Sequence, residues 1–316
     1  MNREEYMKTT LEFIKLTLVT VGGTLAIMFA LGIASLPAQA ENRIWTEDHS
    51  QTYSGKTQAG TGEKAYVKDY EHKIEGKYSE KFVLGHGDCG YDPNFNDCKS
   101  DRGRTERLGK WSKSRNVWYK FSFFIDTEWD SRSRASIAQV KTKGVRYPVW
   151  MLRVDHGLLK LEMNQLDQRC GYLLTLDKMA GKWTDVVLFV NYSKKKVKWT
   201  DEYVALWING ERVNTKGCSS EPVLGKFASS WHKKGSSFRY GIYHSYVSRE
   251  LHQKAMVVGK DMKLKGWSDA HSDKSVNSKT NDPWSIDWPV KLKIKRAWFD
   301  NMQVVRSKKD IYEDLK

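Results

Sequence analysis

Residues 116–126 read NVWYKFSFFID. Val117, Tyr119, Phe121, Phe123 and Ile125 occupy every second position, so they share one face of an extended chain. The stretch reads as a long strand with one side in a core. Its neighbours repeat that character. DVVLFVNYS (185–193) is a short apolar run suited to a strand buried on both sides, and YVALWINGERV (203–213) reads as a hairpin around Asn209-Gly210. KLKIKRAWFDNMQVV (291–305) alternates again, whereas no helical periodicity stands out after residue 40. Many short strands separated by polar turns predict an all-β sandwich, with residues 41–316 as one domain. The polar, Trp-containing stretch 260–288 reads as a long functional loop within it.

The first forty residues read differently. Lys8 and Lys15 precede a stretch with no charge from Leu16 to Ala40, apolar at Leu25–Leu31 and ending Ala38-Gln39-Ala40. That is the layout of a secretory signal peptide, with an uncleaved anchor as the alternative. The protein is therefore expected in the periplasm or outside the cell, with no membrane attachment after cleavage, and as a monomer. Arg3, Lys8 and Lys15 cancel Glu4, Glu5 and Glu12, so the whole net charge of +15 belongs to the remainder. Such a surface calls for an anionic partner. Export disfavours nucleic acid and leaves acidic polysaccharide or lipid. Four cysteines follow the leader, Cys89, Cys98, Cys170 and Cys218. An even count in an oxidising compartment implies two disulfides, with three connectivities open. The short loop CGYDPNFNDC favours Cys89–Cys98, which leaves Cys170–Cys218.

Three segments carry chemistry. DCKSDRGRTERLG places Arg104 and Glu106 on one strand face and Arg107 on the other, and a carboxylate beside an arginine fixes a guanidinium for binding an anion. SIAQVKTKG puts Gln139 and Lys141 on one face, where an amide and an ammonium could meet one carboxylate. SSFRYGIYH (236–244) alternates Phe238, Tyr240 and Ile242 with Ser237, Arg239, Gly241 and Tyr243. The second set faces outward, with Gly241 leaving space beside Tyr243. A phenol with a cation on its own strand face is a plausible proton shuttle.

In this order, Arg104-Thr105-Glu106-Arg107, Gln139-Val140-Lys141 and Ser237-Phe238-Arg239-Tyr240-Gly241-Ile242-Tyr243 resemble the motifs of jelly-roll alginate lyases. GDCGYDPNFNDCKSDRGRTER, GKWTDVVLFVNYS, ALWINGERV, FRYGIYHS and WFDNMQVV are similar to the glucuronan-lyase and heparin-lyase-like group, and the resemblance spans residues 80–306. It implies a concanavalin-like β-jelly-roll whose concave sheet binds an acidic polysaccharide and cleaves it by β-elimination. Gln139 and Arg104 or Arg107 would neutralise the uronate carboxylate. Tyr243 would protonate the leaving oxygen, with Arg239 as its cationic neighbour. The family's histidine position is Lys141 here. Beside an anionic substrate Lys141 is expected to stay protonated and act as a neutraliser. The base is then Tyr243 itself or a histidine from elsewhere, with His156 and His244 as candidates. His244 should point away from Tyr243, and His156 sits in a hairpin-like turn, RVDHGLLK.

Two other readings stay open. A glycoside hydrolase on the same fold needs a carboxylate pair astride the bond, and no strand here carries Glu, Asp and Glu at alternating spacing. A non-catalytic lectin-like glycan binder has no need of an arginine-flanked tyrosine opposite a Gln/Lys strand. No cofactor or metal is expected, although the Asp/Asn-rich loop Asp88–Asp101 admits a structural calcium.

Overall fold

The computed structural model describes residues 43–46, 52–53, 56–58, 64–92, 95–142, 148–163, 168–193, 200, 202–215, 235–260, 283–307 and 311. The expected signal segment, Cys218 and most of the stretch 260–288 lie outside the described residues. The described elements all belong to one compact unit, Asn42–Lys316.

Two antiparallel sheets make the body of a jelly-roll β-sandwich. The back sheet contains β4 (Tyr66–Asp69), β5 (Ser79–Leu84), β9 (Asn116–Ile125), β14 (Trp183–Asn191), β15 (Val204–Ile208), β16 (Glu211–Val213) and β18 (Lys295–Val305). Its order is β16-β15-β14-β9-β18-β5-β4, with β1 (Arg43–Thr46) also paired to β18. The front sheet contains β2 (Thr52–Tyr53), β8 (Arg102–Ser112), β10 (Arg134–Thr142), β11 (Trp150–Asp155), β12 (Leu158–Met163), β13 (Gln168–Thr175) and β17 (Ser236–Ser245). Its order is β13-β12-β11-β10-β17-β8-β2. A small third sheet joins β3 (Lys56–Gln58), β6 (Cys89–Asp92) and β7 (Phe95–Asn96).

The core lies where the alternation places it. Val117, Tyr119, Phe121, Phe123 and Ile125 of β9 meet Ile137, Ala138 and Val140 of β10 and Phe238, Tyr240 and Ile242 of β17 in one buried cluster. Trp118 and Phe189 point the other way and pack with Trp207 on the outside of the back sheet. Asn209 and Gly210 both have positive φ, 52° and 81°, as the predicted hairpin turn requires.

The sequence reading missed a helix, Val247–Val257. Its apolar stripe is only Val247, Leu251 and Ala255; Ser248, Glu250 and His252 are buried beside them. Tertiary partners satisfy those polar groups. Asp101 accepts from both the backbone N–H and the hydroxyl of Ser248, each at 2.8 Å.

Candidate functional site

Strand β17 has β8 on one side and β10 on the other. On the outer face, Tyr243 stands opposite Arg104 of β8 and Ser136 of β10. Gly241 stands opposite Glu106, Arg239 opposite Gln139, and Ser237 opposite Lys141. A bulge in β10 between Ser136 and Ala138 sends both Ile137 and Ala138 into the core. It resets the phase so that Ser136 and Gln139 share the outer face. The Gln139 Nε2 amide then reaches across β17, beside Gly241, and donates to Glu106 Oε1 at 2.5 Å.

Gly241 is demanded by the backbone. Its φ is +127°, and an added Cβ would lie 2.3 Å from the Thr105 carbonyl oxygen and 2.8 Å from Glu106 Cα. The expected open space beside Tyr243 is therefore not its main role. Glycine is what permits this approach of β17 to β8.

Arg104 is fixed from two directions. The Cys89–Cys98 disulfide closes the loop that carries Asp97. Asp97 takes Arg104 Nε at 2.7 Å and Nη2 at 3.2 Å, while Glu106 Oε2 stands 3.5 Å from Nη1. One hydrogen bond and one ion-pair contact thus set Asp97 along the Nε–Nη2 edge of the guanidinium and orient it. Burial works against the charge on Arg104, yet Asp97 and Glu106 more than offset it and hold its pKa above the ordinary value. The guanidinium carbon lies 4.5 Å from the centre of the Tyr243 ring.

Two groups on this face are not tied down. Among the described residues, neither the Tyr243 hydroxyl nor the Lys141 ammonium makes a hydrogen bond, and both residues are partly exposed. Burial raises the Tyr243 phenol above its usual value; Arg104 and Arg102 oppose this, and Asp97 and Glu106 add to it. Lys141 moves the other way. Burial, then Arg239 and Arg104, lower its pKa to about 8 against the pull of Glu106 and Asp97. The resting protein thus holds a phenol and an amine whose proton affinities are shifted in opposite directions, up for Tyr243 and down for Lys141.

The remaining sequence candidates lie elsewhere. Arg107 points between the sheets, donating to Tyr66 Oη at 2.8 Å and standing 3.1 Å from Glu80 Oε1. Period-two alternation had already put it opposite Arg104, and the core side is where it goes. His244 is buried between the sheets, with Nε2 3.1 Å from Glu250 Oε2. His156 occupies the β11–β12 turn with φ 51°, and its Nδ1 pairs with Asp155 Oδ1 at 2.7 Å. Cys170 is disulfide-bonded, and its expected partner Cys218 is outside the described residues.

Among the described residues no group of three or more His, Cys, Asp or Glu side chains is arranged to hold a metal. Carboxylates of the candidate calcium loop serve the protein itself. Asp88 accepts from Gly85 N at 2.7 Å, Asp97 holds Arg104, and Asp101 holds Ser248.

Sequence reasoning missed Asp97 and Arg153. Asp97 was visible only as part of a disulfide loop. Arg153 sits in WMLRVD, where Trp150, Leu152 and Val154 enter the core and Met151, Arg153 and Asp155 face outward. A charged residue between apolar strand positions was the signal. Arg153 Nη1 donates to Ser245 Oγ at 3.2 Å, and its Nε lies 3.4 Å from Glu162 Oε2.

A family model described as polysaccharide lyase matches residues 46–272. Among solved structures, an endo-β-1,4-glucuronan lyase from the fungus Trichoderma reesei aligns at 15% identity over 84% of this chain and 100% of its own, with a TM-score of 0.43. A family 7 alginate lyase in complex with product aligns at 13% identity over 78% of this chain and 86% of its own, with a TM-score of 0.42. The catalytic domain of a glycoside hydrolase family 131 protein from Coprinopsis cinerea aligns at 11% identity over 84% and 87%, with a TM-score of 0.46. No curated protein matches the chain in sequence.

Proposed function

The chain belongs to the polysaccharide lyase family, and we propose that it cleaves a uronate-containing polysaccharide by β-elimination on the outer face of its front sheet. One observation carries this reading. Beside a locked Arg104–Glu106–Gln139 group stand two titratable side chains, Tyr243 and Lys141, whose polar ends make no hydrogen bond among the described residues and whose proton affinities are pushed in opposite directions. Such opposed shifts are how an acid and a base are assigned within one site.

The chemistry follows from the substrate. The proton on the ring carbon next to a uronate carboxylate is weakly acidic until that carboxylate's charge is offset. Arg104 and Gln139, held in place before substrate arrives, supply the offset as the dianion develops. Lys141 takes the proton as a neutral amine. The released electron pair forms a carbon–carbon double bond to the next ring carbon, whose bond to the glycosidic oxygen breaks. Tyr243 gives its phenolic proton to that oxygen. One chain leaves with a new hydroxyl and the other with an unsaturated terminal ring, with no water consumed. Assigning the base to Lys141 departs from the expectation of a neutralising ammonium; it is supported by burial and by two neighbouring arginines, one of them brought in by β17, which lower its pKa in the resting protein.

The leader and the disulfides favour a periplasmic or secreted protein. The test is a panel of acidic polysaccharides followed by ultraviolet absorption of the unsaturated product. Absorbance is expected with at least one polyuronate. Binding without absorbance would turn the reading to a lectin, and new reducing ends without absorbance would turn it to a hydrolase. Lys141→Arg is expected to abolish turnover, because guanidinium does not release its proton in this range. Partial activity in that variant would return both proton transfers to Tyr243. In the unaltered enzyme kcat/KM should rise with pH up to about 8, as the Lys141 amine loses its proton.

A further inference from the structure

The outer face does not end at Tyr243. Strand register sets Arg104, Tyr243, Ser136, Arg153, Lys160 and Tyr172 side by side, one from each of β8, β17, β10, β11, β12 and β13. With neighbouring strands about 4.8 Å apart, this lateral row is about 24 Å long. Its ends differ. At Arg104 the disulfide-closed loop lies against the row, since a Cβ on Gly90 would be 3.1 Å from Arg104 Cβ and 3.3 Å from Asp97 Oδ2. At the other end Tyr172 is 68% exposed, and the Lys160 Nζ lies 5.1 Å from the centre of its ring.

Of the cations between, Arg153 is incompletely satisfied for its burial. Arg153 is 3% exposed, yet among the described residues its Nε makes no hydrogen bond and its Nη2 donates to the thioether sulfur of Met151 at 3.1 Å. A thioether is a weak acceptor. Lys160 is held by Asp155 at 2.9 Å. Arg134 and Arg153 share Glu162 at 3.8 and 3.4 Å, so among the described residues the cations of this cluster outnumber its carboxylates.

We propose that Arg153, Lys160 and Tyr172 form a second acidic-sugar subsite. The carboxylate of a uronate several units from the cleaved bond lies over Arg153 and Lys160, and a sugar ring of the same chain stacks on Tyr172. The inference rests on cleavage at Tyr243. It places added substrate recognition on the β11–β13 side of that residue, away from the loop that abuts Arg104. Long oligomers that reach Tyr172 are then better substrates than short ones.

The test uses size-defined oligomers of whichever polyuronate the full chain cleaves. Tyr172→Ala should lower kcat/KM about tenfold on long oligomers and leave the shortest cleaved oligomer unchanged. Tyr172→Phe, which keeps the ring, should behave as the unaltered protein. Lys160→Gln should repeat the length-dependent loss. Equal losses on long and short oligomers, or no loss on either, would overturn the subsite. Oligomer affinity, measured by calorimetry on the same proteins, separates this outcome from failure of the cleavage reading. If no polyuronate is cleaved, the elimination mechanism falls. The subsite falls only if the unaltered protein and Tyr172→Ala then bind long oligomers equally.

Discussion

The two faces of β17 hold similar side chains and do opposite things. On the inner face Tyr240 donates to Glu80, which also accepts from Tyr66 at 2.6 Å and pairs with Arg107 at 3.1 Å. Arg107 in turn donates to Tyr66 at 2.8 Å. On the outer face Tyr243 stands with Arg104, Glu106 and Gln139. Each face has a tyrosine, an arginine and a glutamate, all largely removed from solvent. The inner set closes on itself. The outer set spends its carboxylates on Arg104 and Gln139 and leaves a phenol and an amine without hydrogen bonds among the described residues. A buried polar cluster is thus not by itself a site. What marks a site is a network that is rigid around groups it does not satisfy.

The sharpest way to break this contrast is to remove one oxygen from each face. Tyr243→Phe should lower kcat by about a hundred- to ten-thousandfold, the usual contribution of a positioned proton donor, with thermal stability and polysaccharide binding nearly unchanged. Tyr240→Phe should do the reverse. It deprives Glu80 of a donor, so stability should fall by about 1–3 kcal/mol while activity per folded molecule persists. Equal activity in the Tyr243→Phe and unaltered enzymes would erase the distinction between the faces.

A buried ion-pair cluster lies one residue further along. His244 and Lys295 converge on Glu250 at 3.1 and 3.4 Å. Burial opposes the charge on Glu250, but Lys295 and His244 outweigh it and hold its carboxyl well below the usual range. A carboxyl depressed on folding stabilises above its unfolded pKa, and that stability is lost as pH falls toward the folded value. Glu250→Gln leaves Lys295 buried without its counter-charge and should lower stability at pH 7 by about 3–5 kcal/mol. The deficit should shrink when both proteins are titrated well below the carboxylate range. A deficit independent of pH would mean that packing, not charge, holds this end of the sandwich.

Asp97 tests how far the outer face depends on its support. Asp97→Asn removes the charge that orients Arg104 but leaves the loop and its disulfide in place. Turnover should fall about ten- to a hundredfold, more than KM rises, because a guanidinium displaced by a fraction of an ångström stabilises the developing charge less well. A change in KM alone would make Arg104 a binding residue and no more.

Strand phase was legible because it is local. The alternation in 116–126, 136–144 and 236–244 correctly assigns Phe121, Phe123, Tyr240 and Ile242 to the core and Gln139, Lys141 and Tyr243 to the opposite face. What pairing adds was not legible. The bulge at Ser136–Ala138 reads in the sequence as plain alternation, so the reach of Gln139 over β17 to Glu106 is hidden. The lowered pKa of Lys141 depends on burial by the assembled sheet and then on Arg239 and Arg104, which lie far away in sequence and arrive through two different strands. The helix Val247–Val257 escaped because half its buried face is polar and finds partners on other elements, Asp101, His244 and Lys295 among them.

The smallest expected effect is the one that closes the question of the base. His156 was a candidate because enzymes of this kind use a histidine, and the chain offers few. Its place argues against the role. It has a positive φ, caps an exposed turn, and its Nδ1 is already engaged by Asp155. Asp155 also holds Lys160, so the turn belongs to the far part of the lateral row and not to the Tyr243–Lys141 pair. His156→Ala should change kcat by less than about twofold and stability by less than about 0.5 kcal/mol, as for an ordinary surface substitution. The pH at which kcat/KM levels off should stay near 8, since Lys141 sets it. A hundredfold loss in His156→Ala, with the rise of the pH profile abolished, would make that histidine the base. Lys141 would return to the role of a neutralising ammonium, and the turn between β11 and β12 would have to close over Tyr243 during turnover.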